Sequence, residues 1–199
     1  MKYSVGPLSY VMVAFAVGAL VTLLFLQAPQ GGRTEAATVT VTVSGEVTRT
    51  VTVLERGGVE QTCFSRVEEC DRLLISLISQ ARGSVYVAIY SFTRDGLARA
   101  LVEAKNRGVE VRVVMERDNA FGQGSEYEFL KANGVDVKLD GNPASMHHKF
   151  MVVDGEVVVT GSYNWSTAAE DRNDENIVVI RDTGIASRFI EEFERLWER

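Results

Sequence analysis

The residues able to do chemistry are concentrated in segment 146–166, MHHKFMVVDGEVVVTGSYNWS. His147 and Lys149 stand two apart where an apolar strand begins, so strand alternation projects them from one face. Asp154-Gly155 is a strong hairpin signal. The return strand brings Ser162 and Asn164, also two apart, back toward the start of the first. One small area then holds an imidazole, an ammonium, a hydroxyl and a carboxamide. Donors without acceptor partners, beside a group able to attack or carry a proton, suit an anionic tetrahedral centre such as phosphate. The chain has only two histidines, His147 and His148, and they are adjacent. Taken alone, an H-x-K triple is more often surface decoration than catalysis.

The elements that position this segment read as one α/β domain. Leu73, Leu74, Leu77, Ile78 and Ala81 form a helical stripe stopped by Gly83. Residues 85–92, VYVAIYSF, make a continuous apolar strand of the kind covered on both faces. Asp95-Gly96 opens a second helix, ended by Gly108, and residues 109–115 form a second strand. Ser125 with Glu128 reads as a capping box for a third helix, closed by Asn133-Gly134. Short strands are expected at 135–139, 149–153, 156–160 and 177–180. A closing helix carries Ile185, Ala186, Phe189, Ile190, Phe193, Leu196 and Trp197 on one face. Alternating helices and apolar strands with a late hairpin predict a mixed β-sheet flanked by helices on both faces.

The larger pattern H-x-K-x4-D followed by G-S-x-N is complete: His147, Lys149, Asp154, Gly161, Ser162 and Asn164. It resembles the signature of the phospholipase D superfamily. VYVAIYSFT, GVEVRVVME and GSYNWSTAAEDRNDENIVVI extend the likeness to the small single-motif branch. That branch holds bacterial non-specific endonucleases and nucleases or lipid hydrolases of the mitochondrial cardiolipin hydrolase type. The likeness runs from about Cys63 to the end of the chain. It implies that His147 is a nucleophile forming a phosphohistidine, with a second histidine protonating the leaving oxygen. It further implies Lys149 and Asn164 as phosphate ligands with Ser162 beside them, and Glu175 as the carboxylate orienting the nucleophilic imidazole. Asp154 falls at the expected turn, where bonding to turn backbone is its expected role. No metal and no cofactor is required. A single H-x-K supplies one histidine, and His148 faces the opposite way, so a homodimer with one composite site on its two-fold axis is expected. The resulting expectation is a phosphodiesterase acting on nucleic acid, with phospholipid such as cardiolipin as the alternative. A non-catalytic binding module would more naturally lack one of these residues.

Other constellations carry less. Ser162, His147 and Asp154 lack the G-x-S-x-G elbow of a hydrolase triad. Cys63 and Cys70, with the histidines, number four possible zinc ligands, but their x6 spacing lies outside the usual range. A disulfide closing a short loop fits an oxidising compartment; two unpaired thiols are the alternative. Gly122-Gln-Gly124 reads as a loop entering a helix. Arg94, Lys105, Arg112 and Arg117 are candidates for the rim of a substrate groove.

Of the 199 residues, 46% are hydrophobic and 24% charged, which excludes a disordered chain. The net charge of −6 disfavours a protein devoted to non-specific nucleic-acid binding, although one basic groove fits within an acidic total. Between Tyr3 and Gly32 there is no charged residue, and 8–28 is almost wholly apolar. About 20 such residues span a bilayer core as a helix. The run exceeds a usual signal h-region, and Ala28-Pro29 lacks an A-x-A exit. Residues 1–32 are therefore expected to be an uncleaved membrane helix. Lys2 places the N-terminus inside and the domain extracytoplasmic; secretion or periplasmic release after cleavage is the alternative. Residues 33–59 carry Thr/Val alternation, a stalk or hairpin, and residues 60–199 form the catalytic domain.

Overall fold

The computed structural model describes residues 37–43, 47–53 and 58–199. The expected membrane helix over 1–32 lies outside them. Among the described residues no helix is long and apolar enough to cross a membrane.

Strands β1 (Ala37–Val43) and β2 (Val47–Val53) pair antiparallel, with Val39 opposite Val51 and Thr40 opposite Thr50. The Thr/Val alternation therefore forms a hairpin. It belongs to a separate compact unit, residues 1–55.

The second unit, residues 56–199, holds seven strands and six helices among the described residues. In chain order these are β3 (Gly58–Phe64), α1 (Cys70–Gln80), β4 (Ser84–Ile89), α2 (Asp95–Asn106) and β5 (Glu110–Met115). Then come α3 (Arg117–Ala120), α4 (Tyr127–Ala132), β6 (Asp136–Leu139), β7 (Lys149–Val153), β8 (Val157–Gly161), α5 (Thr167–Asp171), β9 (Asn176–Arg181) and α6 (Thr183–Trp197). The sheet order is β3-β9-β8-β7-β4-β5-β6. Strands β4, β5 and β6 run parallel, because helical crossovers connect them. All pairings from β4 through β7, β8 and β9 to β3 are antiparallel.

Alternation along each central strand builds two cores. Val85, Val87 and Ile89 of β4 and Met151 and Val153 of β7 pack toward α1, α2 and α4, with Leu74, Ile78, Leu97, Leu101 and Leu130. Ala88 of β4 and Phe150 and Val152 of β7 pack toward α6, against Ala186, Phe193 and Leu196. Helices thus cover both faces of a mixed sheet, as the sequence pattern requires.

Several local expectations are corrected. Strand β3, Gly58–Phe64, is not among the expected strands, and this edge strand lacks a clear apolar alternation: only Cys63 in it is buried. Helix α4 starts at Tyr127, and Ser125 Oγ accepts from the Tyr127 amide, so the Ser125/Glu128 capping box is not made. Ile185 is 37% exposed and lies off the buried face of α6. The short helices α3 and α5 are too brief for any periodic signal.

Asp154 and Gly155 adopt φ of 53° and 67°, the left-handed pair of a type I′ hairpin turn. The Asp154 carboxylate reaches past its own turn to another. It accepts from the amides of Arg82 (3.0 Å), Gly83 (2.7 Å) and Ser84 (3.0 Å), between α1 and β4. Burial pushes its pKa up, but these three amides and the Arg82 charge outweigh that and hold it below the usual aspartate range. The stabilisation is therefore present above the ordinary aspartate pKa and is lost as pH falls through the lowered folded value. Asp154→Asn should cost about 1–3 kcal/mol at neutral pH. Urea unfolding of both proteins should give separated curves at pH 7 that converge at strongly acid pH. Curves equally separated at both pH values would refute the assignment to ionised Asp154.

Candidate active site

The site lies at the end of the sheet where β4 finishes and β7 begins. Strand pairing ends at Ile89 opposite Lys149, and the Tyr90 amide adds one more bond, 2.9 Å, to the His148 carbonyl. His147 and His148 therefore precede the strand rather than lie in it. The His147 ring rests against Tyr90, with centroids 4.4 Å apart. Lys149 Nζ lies 4.7 Å from the same Tyr90 ring and donates to the His147 carbonyl at 2.8 Å. His148 goes elsewhere. Its ring packs against Phe150, and its Nε2 is 3.0 Å from Glu192 Oε1 on α6.

Burial lowers the Lys149 pKa from the ordinary lysine value, and the charge of Glu175 opposes that shift. The carboxylate named in the RNDEN stretch is thus electrostatically in range of Lys149. Glu175 itself is partly buried, and its Oε1 accepts from Asn173 Nδ2 at 3.0 Å.

The G-S-x-N residues are placed by β8 and the loop that leaves it. At Gly161 a Cβ would stand 2.1 Å from the Asn176 carbonyl oxygen, so glycine is required by the close approach of β9. Ser162 Oγ accepts from the Asn176 amide at 3.2 Å, which occupies it with backbone. Trp165 then crosses the end of β4. Its amide donates to the Ser91 carbonyl, and its carbonyl accepts from Thr93 and Arg94. Between these anchors Asn164 is partly buried, and its Oδ1 is buried with no hydrogen-bond partner among the described residues. Since the two ends of a carboxamide exchange by a flip, that position can offer an acceptor or an N–H donor.

Asp154 lies beyond the other end of β7, roughly 16 Å along the strand from Lys149. It is a fold residue, not part of this cluster. Cys63 and Cys70 are joined as a disulfide with Cα atoms 5.8 Å apart. Among the described residues no group of three or more His, Cys, Asp and Glu side chains gathers as a metal site. The four candidate rim cations are engaged in structure. Arg94 pairs with Asp71, and Arg112 pairs with Glu194 while stacking on Tyr86. Arg117 donates to the Asp140 carbonyl and Lys105 to that of Asn133.

Two residues of the site escape sequence reasoning. Tyr90 reads as one more apolar strand residue, although it lies against both His147 and Lys149. Glu116, 3% exposed, accepts from the Met146 amide at 2.5 Å and so holds the approach to His147. The only sequence signal for it is an acid placed directly after the apolar run VRVVM.

The family model described as "Cardiolipin synthase, PLD-like domain" matches residues 74–197. The chain belongs to the phospholipase D-like family. It is 44% identical over 127 residues to mitochondrial cardiolipin hydrolase of Xenopus laevis, covering 64% of this chain and 60% of that protein. The chain thus spans about three-fifths of that relative's length. Among solved structures, the phospholipase D family member Nuc from Salmonella typhimurium superposes with a TM-score of 0.66 at 34% identity. That match covers 69% of this chain and 93% of Nuc. NucT from Helicobacter pylori gives 0.65 at 30% identity, with 69% and 94% covered. The phospholipase D-like match takes in the whole H-x-K to G-S-x-N segment.

Gly161→Ala should lower stability by about 3 kcal/mol, because backbone must move to admit the methyl group. Urea unfolding would read this. A variant as stable as the parent would mean that β8 and β9 do not approach as described.

Proposed function

We propose that this chain is a metal-independent phosphodiesterase, acting on nucleic acid through a phosphohistidine intermediate. One observation carries the reading: His147 and Lys149 meet on the Tyr90 ring, and the loop tied to the end of β4 carries Asn164, whose buried carboxamide oxygen has no hydrogen-bond partner among the described residues. An unpaired buried polar atom is costly, and a bound phosphate can complete it after a carboxamide flip. In the proposed first step an imidazole nitrogen of His147 attacks phosphorus. The P–N bond forms, the P–O bond to the leaving group breaks, and the leaving oxygen takes a proton from a second imidazole. Water then gives its proton to that imidazole and attacks phosphorus, and the P–N bond breaks to regenerate His147. Lys149 and Asn164 hold the phosphate oxygens as charge shifts among them. Glu175 keeps the attacking imidazole oriented through its other nitrogen.

The second imidazole is assigned to His147 of a second copy. His148 is committed to Glu192 on α6, which supports this reading. The two-fold axis would pass through the site, and each copy would supply His147, Lys149 and Asn164. The likeness to Nuc and NucT supports a nuclease. The likeness to a curated cardiolipin hydrolase favours phospholipid as the second reading. An apolar segment at 8–28 and the Cys63–Cys70 disulfide support a membrane-tethered domain facing an oxidising compartment.

Full-length protein in detergent should hydrolyse bis-p-nitrophenyl phosphate with chelator present. His147→Ala should abolish turnover and His148→Ala should retain most of it. Strict dependence on added divalent metal, or equal loss at 147 and 148, would sink the mechanism. Plasmid, RNA and cardiolipin assays run side by side decide substrate class, and turnover of lipid alone would overturn the nuclease reading.

Heterodimers with one parental subunit and one His147→Ala subunit test the composite site separately. They should be nearly inactive. Retention of about half the parental turnover, the value additive independent sites would give, would show that each chain works alone.

A further inference from the structure

The disulfide between Cys63 and Cys70 brackets a short loop that is hydrogen-bonded to residues 173–175. Within it the Glu68 carboxylate accepts the Phe64 amide at 2.8 Å, and Arg66 takes a left-handed φ of 66°. The Arg66 guanidinium pairs with Asp174 at 2.9 Å. At the centre stands Ser65, 2% exposed. Its amide donates to the Glu175 carbonyl at 3.1 Å. Its hydroxyl donates to the Asn173 carbonyl at 2.8 Å and accepts the Glu175 amide at 2.9 Å.

The pairing of β3 with β9 ends at Phe64 opposite Asn176. Extending that ladder by one residue requires only the Ser65 amide. The two hydroxyl bonds do something further: they hold residues 173 and 175 in a fixed relation, and Asn173 Nδ2 in turn holds the Glu175 carboxylate. The loop therefore holds the backbone of Glu175 and the backbone of Asn173, and the Asn173 side chain holds one oxygen of the carboxylate. A disulfide joins the two ends of that loop. Misplacing an active-site group by about 1 Å can cost up to about 100-fold in rate.

We propose that Ser65, clamped by the Cys63–Cys70 disulfide, is a positioning residue for Glu175, so that turnover depends on this loop and on its oxidation. The proposal rests on the reading of Glu175 as the carboxylate that serves His147. Ser65 does not touch substrate; it acts through Glu175. Reduction of the disulfide frees the loop, and the Glu175 carboxylate loses its fixed station.

The test uses the full chain in detergent with bis-p-nitrophenyl phosphate. Parent, Ser65→Ala, Glu175→Gln and the double variant are compared for kcat and KM, alongside hydrogen exchange at the Glu175 amide. Ser65→Ala should speed that exchange and lower kcat about tenfold with little change in KM. In the Glu175→Gln background the same substitution should cost almost nothing, because its route is already lost. The Cys63→Ser/Cys70→Ser variant should repeat this pattern, and it serves if Ser65→Ala does not fold. Equal losses in both backgrounds would make the loop a general fold element and overturn the proposal. Faster exchange with unchanged kcat would overturn it while leaving the phosphodiesterase reading intact. Full turnover by Glu175→Gln would remove both the proposal and the role given to Glu175, again without touching His147.

Discussion

A single rung, the Tyr90 amide donating to the His148 carbonyl, governs the chemistry available at this end of the sheet. It continues the antiparallel register of β4 and β7 one residue beyond Ile89 and Lys149. Because side chains alternate along extended backbone, a slip of one residue would exchange the places of His147 and His148. The register is fixed by burial on both faces. Met151 and Val153 must reach the α1/α2 core, and Phe150 and Val152 the α6 core. The identity of the imidazole beside Lys149 is thus decided by four apolar side chains that never approach a substrate.

Two acids, Glu116 buried and Asp154 partly buried, carry out the remaining positioning, each by accepting from backbone. Glu116 takes the Met146 amide just before the histidines, and Asp154 takes three amides of the α1–β4 turn. Each removes an otherwise unpaired N–H from a connection that neither helix nor strand can satisfy. This explains why the aspartate of the motif stands far from His147 and Lys149. It ties the closed end of β7 to the start of β4, and so reinforces the same pairing that sets His147 at the open end.

Much of this was legible in the sequence. The runs VYVAIY and EVRVVM and the Asp-Gly turn define the central strands, because buried strands and type I′ turns have strong local signatures. The closing helix was equally plain from its apolar face, Ile185 excepted. Strand β3 was not, since an edge strand exposing Val59 and Phe64 shows no alternation. The capping of α4 departs from the sequence pattern because Ser125 satisfies the nearer amide. In the site, residue types exposed the donors His147, Lys149 and Asn164, whereas Tyr90, Glu116 and Ser65 owe their roles to contacts across long sequence separations. Ser65 and Glu175 are 110 residues apart, and no local pattern encodes such a bond. The ion pairs of Arg94 with Asp71 and of Arg112 with Glu194 are hidden from local pattern for the same reason, the partners being distant in sequence.

The strand order gives the site its place. From β4 the chain proceeds outward on one side through β5 and β6, then returns to β4's other side as β7 and continues to β8 and β9. At the carboxyl end of β4 the two directions part, and in open α/β sheets such switch points leave a crevice that neighbouring crossovers do not fill. Tyr90 occupies that point, and the loop carrying Asn164 is drawn across it by the bonds of Trp165 to Ser91 and Thr93. On the α6 side the adjoining cleft is lined by His147, His148 and Arg195, the last two both engaged with Glu192. His147 is exposed on the open side of that crevice, with Lys149 partly buried beside it. The topology that parts the two directions of the chain at β4 therefore gathers Tyr90, His147 and Lys149 at one accessible end of the sheet.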